Sequence, residues 1–293
     1  MNEFVCLNGK LIPAEDARVS IYDAGFLHGV GLFETMRAYR GRVFRPRDHF
    51  DRLGASAQQL GLRIAPDSDE LAQWLATLLD ANELTDARVR LTATPGDLRP
   101  TATTATVDPA APPSGTLLIT ATSLTGYPDE FHQRGITVVI ADTRANPHDP
   151  TAGHKTLNYF PRLLTLQRAQ QKGAAEALWF TPANRLACGC ISNVFAVKGD
   201  TVFTPPAQPP VRPGITRNTV LDLCQQESIA VQETDLVIQD LLDADEIFLT
   251  NSIMELLPVC RVERHAVGQD KPGPVYKQLR DAYHRTVQQE CLE

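Results

Sequence analysis

The stretch Gly153-His154-Lys155-Thr156-Leu157-Asn158-Tyr159 holds the most unusual of the six lysines in this chain. The other five lie beside Gly, Pro or Asp or at polar helical positions, where a lysine is usually a solvated surface charge. Lys155 instead opens a helix that the apolar spacing predicts over residues 156–171. A lysine held against apolar side chains has a lowered pKa, and its neutral amine is a nucleophile for Schiff-base chemistry. The alternative is a lysine near a helix start whose charged end reaches water.

Three further motifs occur on either side of this stretch. They are Phe33-Glu34-Thr35-Met36-Arg37, Ser192-Asn193-Val194-Phe195 and Pro213-Gly214-Ile215-Thr216-Arg217. Together with the Lys155 stretch, they resemble the class IV aminotransferases, the fold-type IV family that uses pyridoxal phosphate (PLP). That family includes branched-chain and D-amino acid aminotransferases and aminodeoxychorismate lyase. The resemblance runs from about Asn8 to Tyr283 and so covers nearly the whole chain.

The expected fold has two domains. The resemblance implies an α+β protein with a small N-terminal α/β sandwich-like domain and a larger C-terminal pseudo-barrel domain, assembled as a homodimer. We predict the domains over residues 1–122 and 129–293, with residues 123–128 as the linker. Many short strands with few helices in the second half also suit a barrel-like domain.

Turn and periodicity signals predict the individual elements. Asn8-Gly9 and Arg40-Gly41 each separate two short strands and are predicted hairpin turns. Apolar spacings of three and four predict helices over 48–60 and 68–82. Residues 101–114, rich in Thr, Ala and Pro, are predicted to form a long loop. The other predicted elements are strands over 88–94, 116–122, 136–141, 177–181, 193–197, 201–203, 229–233 and 245–250, and helices over 156–171 and 214–227.

The resemblance implies how PLP would be held. Lys155 matches the lysine that carries the cofactor, and Arg52, Ile215, Thr216 and Ser252 match residues that bind its phosphate. A helix start offers free N–H groups to a phosphate, and a guanidinium binds two of its oxygens at once. Without the resemblance, these residues equally suit an ordinary helix cap, a solvated helix arginine and a polar turn.

The resemblance also places residues near the ring and the substrate. Tyr159 matches a tyrosine that hydrogen-bonds the phenolic oxygen of PLP, although a half-buried helix aromatic is the plain alternative. Phe33 and Arg37 match positions on the substrate side, and their spacing of four puts them on one face of a strand. The turn amide of Ile253 would face the substrate carboxylate.

Cys188 is the main departure from the family pattern. Five residues before Asn193 the family has a glutamate that pairs with the pyridine nitrogen and keeps it protonated. A neutral thiol is a poor substitute, because an opposite charge is what raises the pKa of the ring nitrogen. Three interpretations stay open: a weakened or tuned transaminase, a reaction that needs a weaker electron sink, and a PLP-binding protein with little turnover.

Composition excludes several classes of protein. The net charge of −7 and the lack of a basic run argue against a nucleic-acid partner. No apolar window approaches the ~18 residues of a membrane span, and the N-terminus lacks a signal-peptide pattern. Six scattered cysteines favour a reduced cytoplasm over a disulfide framework. Cys188-Gly189-Cys190 has no second ligand pair at metal-binding spacing, so we expect no metal site.

The sequence therefore favours a PLP-dependent aminotransferase that moves an amino group between an amino acid and a 2-oxo acid. Branched-chain or D-amino acid substrates are the expected type. Arg90 and Arg99 are candidate carboxylate binders, although either also suits a surface ion pair. The alternatives are a lyase of the aminodeoxychorismate type that releases pyruvate, and a PLP-binding homologue with little catalysis because of Cys188.

Overall fold

The chain folds into two compact units that do not follow the sequence strictly. A computed structural model describes residues 3–64, 67–97 and 115–292. The first unit is formed by Met1–Thr125, His154–Asn158 and Glu290–Glu293, and the second by Gly126–Gly153 and Tyr159–Gln289. The division thus adds two distant segments to the first unit, whereas our prediction drew one boundary at residues 123–128.

The first unit contains one antiparallel sheet of six strands in the order β2-β1-β6-β5-β3-β4. Two long helices, α2 and α3, cover one face of this sheet and enclose an aliphatic core with β1, β3, β5 and β6. The elements of this unit are β1 Phe4–Leu7, β2 Lys10–Pro13, α1 Ala24–His28, β3 Leu32–Tyr39, β4 Arg42–Val43, α2 Pro46–Gln59, α3 Ser68–Ala81, β5 Ala87–Thr94 and β6 Thr116–Ser123.

Local sequence explains most of this unit. Asn8-Gly9 and Arg40-Gly41 adopt positive φ angles at both positions and close the β1–β2 and β3–β4 hairpins, as predicted. Alternation along β3 places Leu32, Met36 and Ala38 in the core. The Asp67 side chain caps α3 by accepting from the amides at 69 and 70. The predicted loop over 101–114 lies outside the described residues.

The second unit is built on a mixed sheet of nine strands in the order β12-β11-β10-β13-β14-β7-β8-β9, with β15 paired to β14. Two stacked rings, Phe195 and Phe248, lie inside it with their centroids 4.9 Å apart. The elements of this unit are α4 Asp129–Arg134, β7 Ile136–Ile140, α5 Phe160–Gln171, β8 Glu176–Phe180, β9 Leu186–Gly189, β10 Asn193–Lys198, β11 Thr201–Thr204, α6 Ile215–Gln226, β12 Ala230–Glu233, α7 Ile238–Leu242, β13 Glu246–Asn251, β14 Glu255–Val262, β15 His265–Ala266 and α8 Pro274–Cys291. The last two residues of α8 belong to the first unit.

The prediction of an α+β protein is confirmed. One helix prediction was wrong at its start: α5 begins at Phe160, not at Thr156, so Lys155 does not open a helix. The strands β9, β14 and β15 were not predicted.

All six cysteines lie in the described part of the chain, and each is buried and unpaired. Burial raises the pKa of the thiol of Cys224 to about 12, and those of Cys260 and Cys291 to about 11. The described residues contain no group of three or more His, Cys, Asp or Glu side chains placed to hold a metal ion. No described helix combines the length and the apolar character needed to cross a membrane.

Candidate active site

Lys155 lies on a short extended segment of the first unit. The Phe33 amide donates to the Lys155 carbonyl, and the Leu157 amide donates to the Gly31 carbonyl, both at 2.9 Å. These bonds attach residues 155–157 to the start of β3 in antiparallel fashion. Gly31 permits this approach, because a Cβ there would lie 2.7 Å from a Leu157 methyl carbon. Tertiary pairing therefore positions Lys155, and not the helix geometry that we expected.

The Phe33 ring is the surface on which Lys155 rests. Lys155 Nζ lies 4.1 Å from the ring centroid, and the guanidinium carbon of Arg90 lies 4.0 Å from it. Arg37, on the same face of β3, places its guanidinium 4.5 Å from the Tyr39 ring. Phe33 and Arg37, the two predicted substrate residues, thus lie on one face of β3, and the cations of Lys155 and Arg90 lie against the Phe33 ring. Such a face can attract an anionic carboxylate.

Arg52 is held by a buried carboxylate on the opposite face of β3. Glu34, 1% exposed, accepts from Arg52 Nε at 2.9 Å and Nη2 at 2.5 Å, and its other contact is His49 Nδ1 at 2.8 Å. Burial alone would raise the pKa of Glu34, but the Arg52 charge and the His49 hydrogen bond outweigh it and hold this pKa far below its usual range. Burial lowers the pKa of His49, so the imidazole is neutral at pH 7. The guanidinium is therefore fixed by an ion pair before any ligand binds.

The start of α6 in the second unit presents free amides. Gly214 is the N-cap residue and supplies no side-chain hydrogen bond to the first turn, which contains Ile215 and Thr216. Both side chains are buried. A Cβ on Gly214 would lie 2.1 Å from Asn193 Oδ1, so only glycine fits here. Asn193 also donates from Nδ2 to the Arg212 carbonyl at 3.0 Å, which fixes the segment before the helix.

Ser252 and Ile253 lie in the turn between β13 and β14. Asn251 organises this turn, because its Oδ1 accepts from the amides of Ile253 and Met254 at 2.8 Å. The Ile253 amide, which we expected to face a substrate carboxylate, thus has an acceptor within its own turn. The hydroxyl of Thr250, 1% exposed, has no hydrogen-bond partner among the described residues.

Tyr159 and Cys188 meet through a residue that we did not predict. The Tyr159 hydroxyl donates to the Cys190 carbonyl at 3.1 Å. Arg162, in the first turn of α5, donates from Nη1 to the Cys188 sulfur at 3.5 Å and to the carbonyls of Gly189 and Cys190 at 3.1 Å. Its guanidinium also lies 5.9 Å from the Tyr159 ring centroid. Arg162 is recognised as a site residue by its contact with Cys188, which lies 26 positions later in the chain.

Glu176 shapes the loop that follows Cys188. It is 1% exposed, and its two oxygens accept from the amides of Ala177, Cys190 and Ile191 and from the Ser192 hydroxyl, at 2.9–3.1 Å. Burial raises the pKa of this carboxyl group although these donors act against the shift. All of its acceptor positions are occupied. It therefore holds the loop and does not replace a glutamate at position 188.

Ten predicted site residues fall into two groups. Those in the first unit are Phe33, Arg37, Arg52 and Lys155; those in the second are Tyr159, Cys188, Ile215, Thr216, Ser252 and Ile253. Glu34 and His49 were missed, although Glu34 lies within a quoted motif. The alternation of β3 puts that carboxylate on the core face, where it needs a cationic partner, and this signal could have led to Arg52.

Comparisons with known proteins agree on one family. Residues 31–262 match the model of the amino-transferase class IV family. The chain is 33% identical to a putative branched-chain-amino-acid aminotransferase of Methanocaldococcus jannaschii, over 95% of this chain and 94% of the relative. It is 30% identical to a D-alanine aminotransferase of Listeria monocytogenes, over 99% and 98%.

A solved structure shows the same fold. The branched-chain amino acid aminotransferase of Escherichia coli superposes with a TM-score of 0.88 at 29% identity, over 97% of this chain and 94% of the other. The fold-type IV prediction is thereby confirmed. The relatives bear aminotransferase names and do not favour the lyase alternative. This chain belongs to the class IV aminotransferases and is a PLP-dependent aminotransferase.

Proposed function

We propose that Lys155 carries PLP and that the protein moves amino groups between an amino acid and a 2-oxo acid of the branched-chain or D-amino acid type. The observation that supports this is the position of Lys155 Nζ, 4.1 Å from the ring centroid of Phe33 in the Phe33–Arg37 motif.

The residues present fit PLP. The α6 helix has 12 residues and no side-chain cap at its start, so its first amide N–H groups can donate to a phosphate. The buried, unpartnered hydroxyl of Thr250 precedes the Ser252 turn and suits an acceptor that the protein itself does not supply. Arg52 offers a guanidinium that Glu34 already orients.

Each residue then has a defined task. When bound, PLP supplies an electron sink for negative charge at the substrate Cα. Lys155 Nζ would attach the cofactor, give way to the amine of the substrate, and serve as the base that moves the proton at the substrate Cα. Arg52 is a phosphate ligand. The amides at the start of α6 and the side chains of Thr216 and Ser252 are phosphate ligands as well. The Tyr159 hydroxyl, which donates to the Cys190 carbonyl in this structure, would turn to donate to the phenolic oxygen, and Arg37 and Arg90 attract a substrate carboxylate.

The attachment of PLP to Lys155 can be tested directly. Borohydride reduction of the PLP-saturated protein, followed by peptide mapping, should place the phosphopyridoxyl group on Lys155. Lys172 and Lys198, which are exposed, serve as internal controls in the same digest. A label on any other lysine, or no label at all, would show that the assignment is wrong.

The reaction type and substrate class need a separate experiment. Addition of an amino donor should convert the visible absorbance of the bound cofactor to that of its pyridoxamine form. We expect this with D-alanine or a branched-chain L-amino acid, with pyruvate or 2-oxoglutarate as acceptor. Pyruvate release from aminodeoxychorismate would instead indicate the lyase, and no conversion by any donor would indicate a non-catalytic PLP-binding protein.

We further propose that the protein works as a homodimer in a reducing compartment such as the cytoplasm. Several large apolar side chains in one short segment of the first unit are exposed, namely Ile21, Tyr22, Phe26 and Leu27. Exposed apolar surface of this kind often marks a protein contact. Native mass measurement should give twice the 32.2 kDa of the chain, and Phe26→Glu should shift it to the monomer. A monomeric wild type would contradict the proposal.

Six buried, unpaired thiols suit a reducing compartment.

A further inference from the structure

The position that the family fills with an anion is occupied here by a thiol in contact with a cation. Cys188 is 4% exposed, and its sulfur accepts a hydrogen bond from Arg162 Nη1 at 3.5 Å. Within the described part of the chain, Arg162 is the side chain that hydrogen-bonds this sulfur. Arg162 is therefore part of the environment of whatever Cys188 faces.

Arg162 is held firmly in that place. Nη1 also donates to the carbonyls of Gly189 and Cys190 at 3.1 Å, and the guanidinium carbon lies 5.5 Å from the Trp179 ring centroid. Trp179 pairs directly with Cys188 across β8 and β9. Although burial disfavours the charged guanidinium, its hydrogen bond to Cys188 favours the charged form, and the pKa of Arg162 lies above its ordinary value. The group is thus a fixed positive charge.

Among the residues that the structure describes, no carboxylate forms a hydrogen bond or an ion pair with Arg162 beside Cys188. Glu176 is the acidic residue that contacts the adjoining loop, but its oxygens are already bonded to three amides and to the Ser192 hydroxyl. The titratable groups around Cys188 are then the phenol of Tyr159, the thiol of Cys190 and the committed carboxyl of Glu176. None of them adds an unpaired negative charge beside the sulfur.

We propose that Arg162, acting through Cys188, keeps the pyridine nitrogen of bound PLP unprotonated. The inference rests on the proposed function and on the family resemblance, which places Cys188 at the position that faces that nitrogen. Because the sulfur lone pair accepts from Arg162, the S–H proton is free to donate to a neutral ring nitrogen. A protonated ring would place a second positive charge near the guanidinium, and like charges oppose this. Arg162 is thus a positioning residue, and Cys188 is the group that contacts the cofactor.

This arrangement would make the cofactor a weaker electron sink than a protonated ring. A negative charge at the substrate Cα would be less stabilised. The proton that leaves Cα would therefore have to reach C4′ quickly. Lys155 can make that transfer with one amine. Among the interpretations left open by the sequence, this favours a tuned transaminase over a protein that has lost its chemistry.

The protonation state can be read from PLP labelled with 15N in the ring. In the wild-type holoenzyme at pH 7, we expect the 15N resonance of an unprotonated pyridine nitrogen. Cys188→Ser keeps a donor and should leave the nitrogen unprotonated, whereas Cys188→Glu should protonate it. Arg162→Gln should raise the pH at which the nitrogen gains its proton. Arg168→Gln, an exposed arginine on the same helix, is the matched control and should change nothing.

Three outcomes would overturn this inference, and one of them would also overturn the proposed function. A protonated nitrogen in the wild type, with PLP attached to Lys155, would mean a thiolate–pyridinium pair and would overturn the inference alone. Absence of bound PLP would overturn both. An Arg162→Gln variant that raises the KM for the amino donor but leaves the 15N titration unchanged would identify Arg162 as a substrate binder, and it would also overturn the inference.

A second measurement needs no cofactor. In the apo protein, Cys188→Glu places a carboxylate beside Arg162, and we expect the pair to be tolerated. In an Arg162→Met background the same carboxylate lacks a counter-ion, so its effect on the unfolding equilibrium constant should be at least ten-fold larger. Equal effects in the two backgrounds would show that residues 162 and 188 do not interact, and the inference would fail.

Discussion

At the scale of single residues, we expect substitution of Glu34 to have the largest effect on the stability of the first unit. Replacing it by Gln removes the counter-ion of Arg52 and should lower the free energy of unfolding by about 3–5 kcal/mol at pH 7. The folded-state pKa of Glu34 is depressed, so its contribution is present above the unfolded pKa of about 4.3 and is lost as the pH falls below it. Denaturant unfolding from pH 7 to pH 3 should show the two proteins converging.

Glu130→Gln is the control for that experiment. Glu130 forms an exposed pair with Arg134 on α4, and such pairs contribute less than about 0.5 kcal/mol.

His49 acts in the same direction as Glu34: its pKa is lowered by burial, so it adds stability above about pH 6.5 that is lost on acidification. A constant difference between wild type and Glu34→Gln across this pH range would contradict the ion-pair interpretation.

Arg52→Ala tests the proposed phosphate contact. A charge-assisted hydrogen bond contributes about 1.5–3 kcal/mol, so the variant should bind PLP about ten-fold more weakly or worse. Arg52→Lys keeps the charge but loses the fork and should fall between the two. Arg47, an exposed arginine on the same helix, supplies the control Arg47→Ala. Equal PLP affinity in wild type and Arg52→Ala, measured by equilibrium titration, would place the phosphate elsewhere.

The sequence identified residue types better than residue environments. Lys155 was singled out because its neighbours are apolar, yet its position depends on backbone pairing with Phe33 and Gly31, more than 120 residues earlier. Cys188 was identified by counting back from Asn193. Its contact with Arg162 could not be predicted, because it requires both the β8–β9 pairing and the packing of α5 on β8.

At the scale of elements, the start of α6 is fixed by close packing. Gly214→Ala would put a Cβ 2.1 Å from Asn193 Oδ1, so either the Asn193 side chain or the helix start must shift. We expect a loss of about 1–3 kcal/mol in the free energy of unfolding and weaker binding of PLP through its phosphate. Chemical denaturation and PLP titration of one purified variant measure both effects. Unchanged values would mean that the segment before α6 can adapt freely.

A glycine in α2 gives the opposite prediction. Gly54 lies inside the helix, and an added Cβ meets nothing within 4 Å. Gly54→Ala should therefore raise the free energy of unfolding by about 0.5–1 kcal/mol, because the unfolded chain loses conformational freedom. The same denaturation assay checks it, and PLP affinity should stay at the wild-type value. A destabilised variant would contradict the packing around α2.

Elements with clear local signals were predicted, and those that depend on tertiary context were not. The Asn8-Gly9 and Arg40-Gly41 hairpins were predicted because positive φ angles are encoded by the residues themselves. β14 was missed because its run of apolar residues does not alternate and contains Pro258, which cannot donate to a sheet. Pro258 nevertheless pairs with Phe248 of β13 inside the larger sheet.

At the scale of the whole molecule, the chain forms two units with separate cores. Their membership could not be predicted from a linker alone, because residues 154–158 and 290–293 belong to the first unit. For the segment 154–158, the reason is physical: the hydrogen bonds of Lys155 and Leu157 lead to β3 and not to their own neighbours in sequence. A boundary drawn from composition has no access to such pairing.

The six buried thiols turn this division into a measurement. Cys6 and Cys291 lie in the first unit, and Cys188, Cys190, Cys224 and Cys260 lie in the second. A buried, protonated thiol does not react with an alkylating reagent until the structure around it opens. Each unit thus contains its own chemical reporters of unfolding. Pulsed alkylation at increasing denaturant concentrations, read by mass spectrometry, would measure the unfolding transition of each unit separately, without any engineered label.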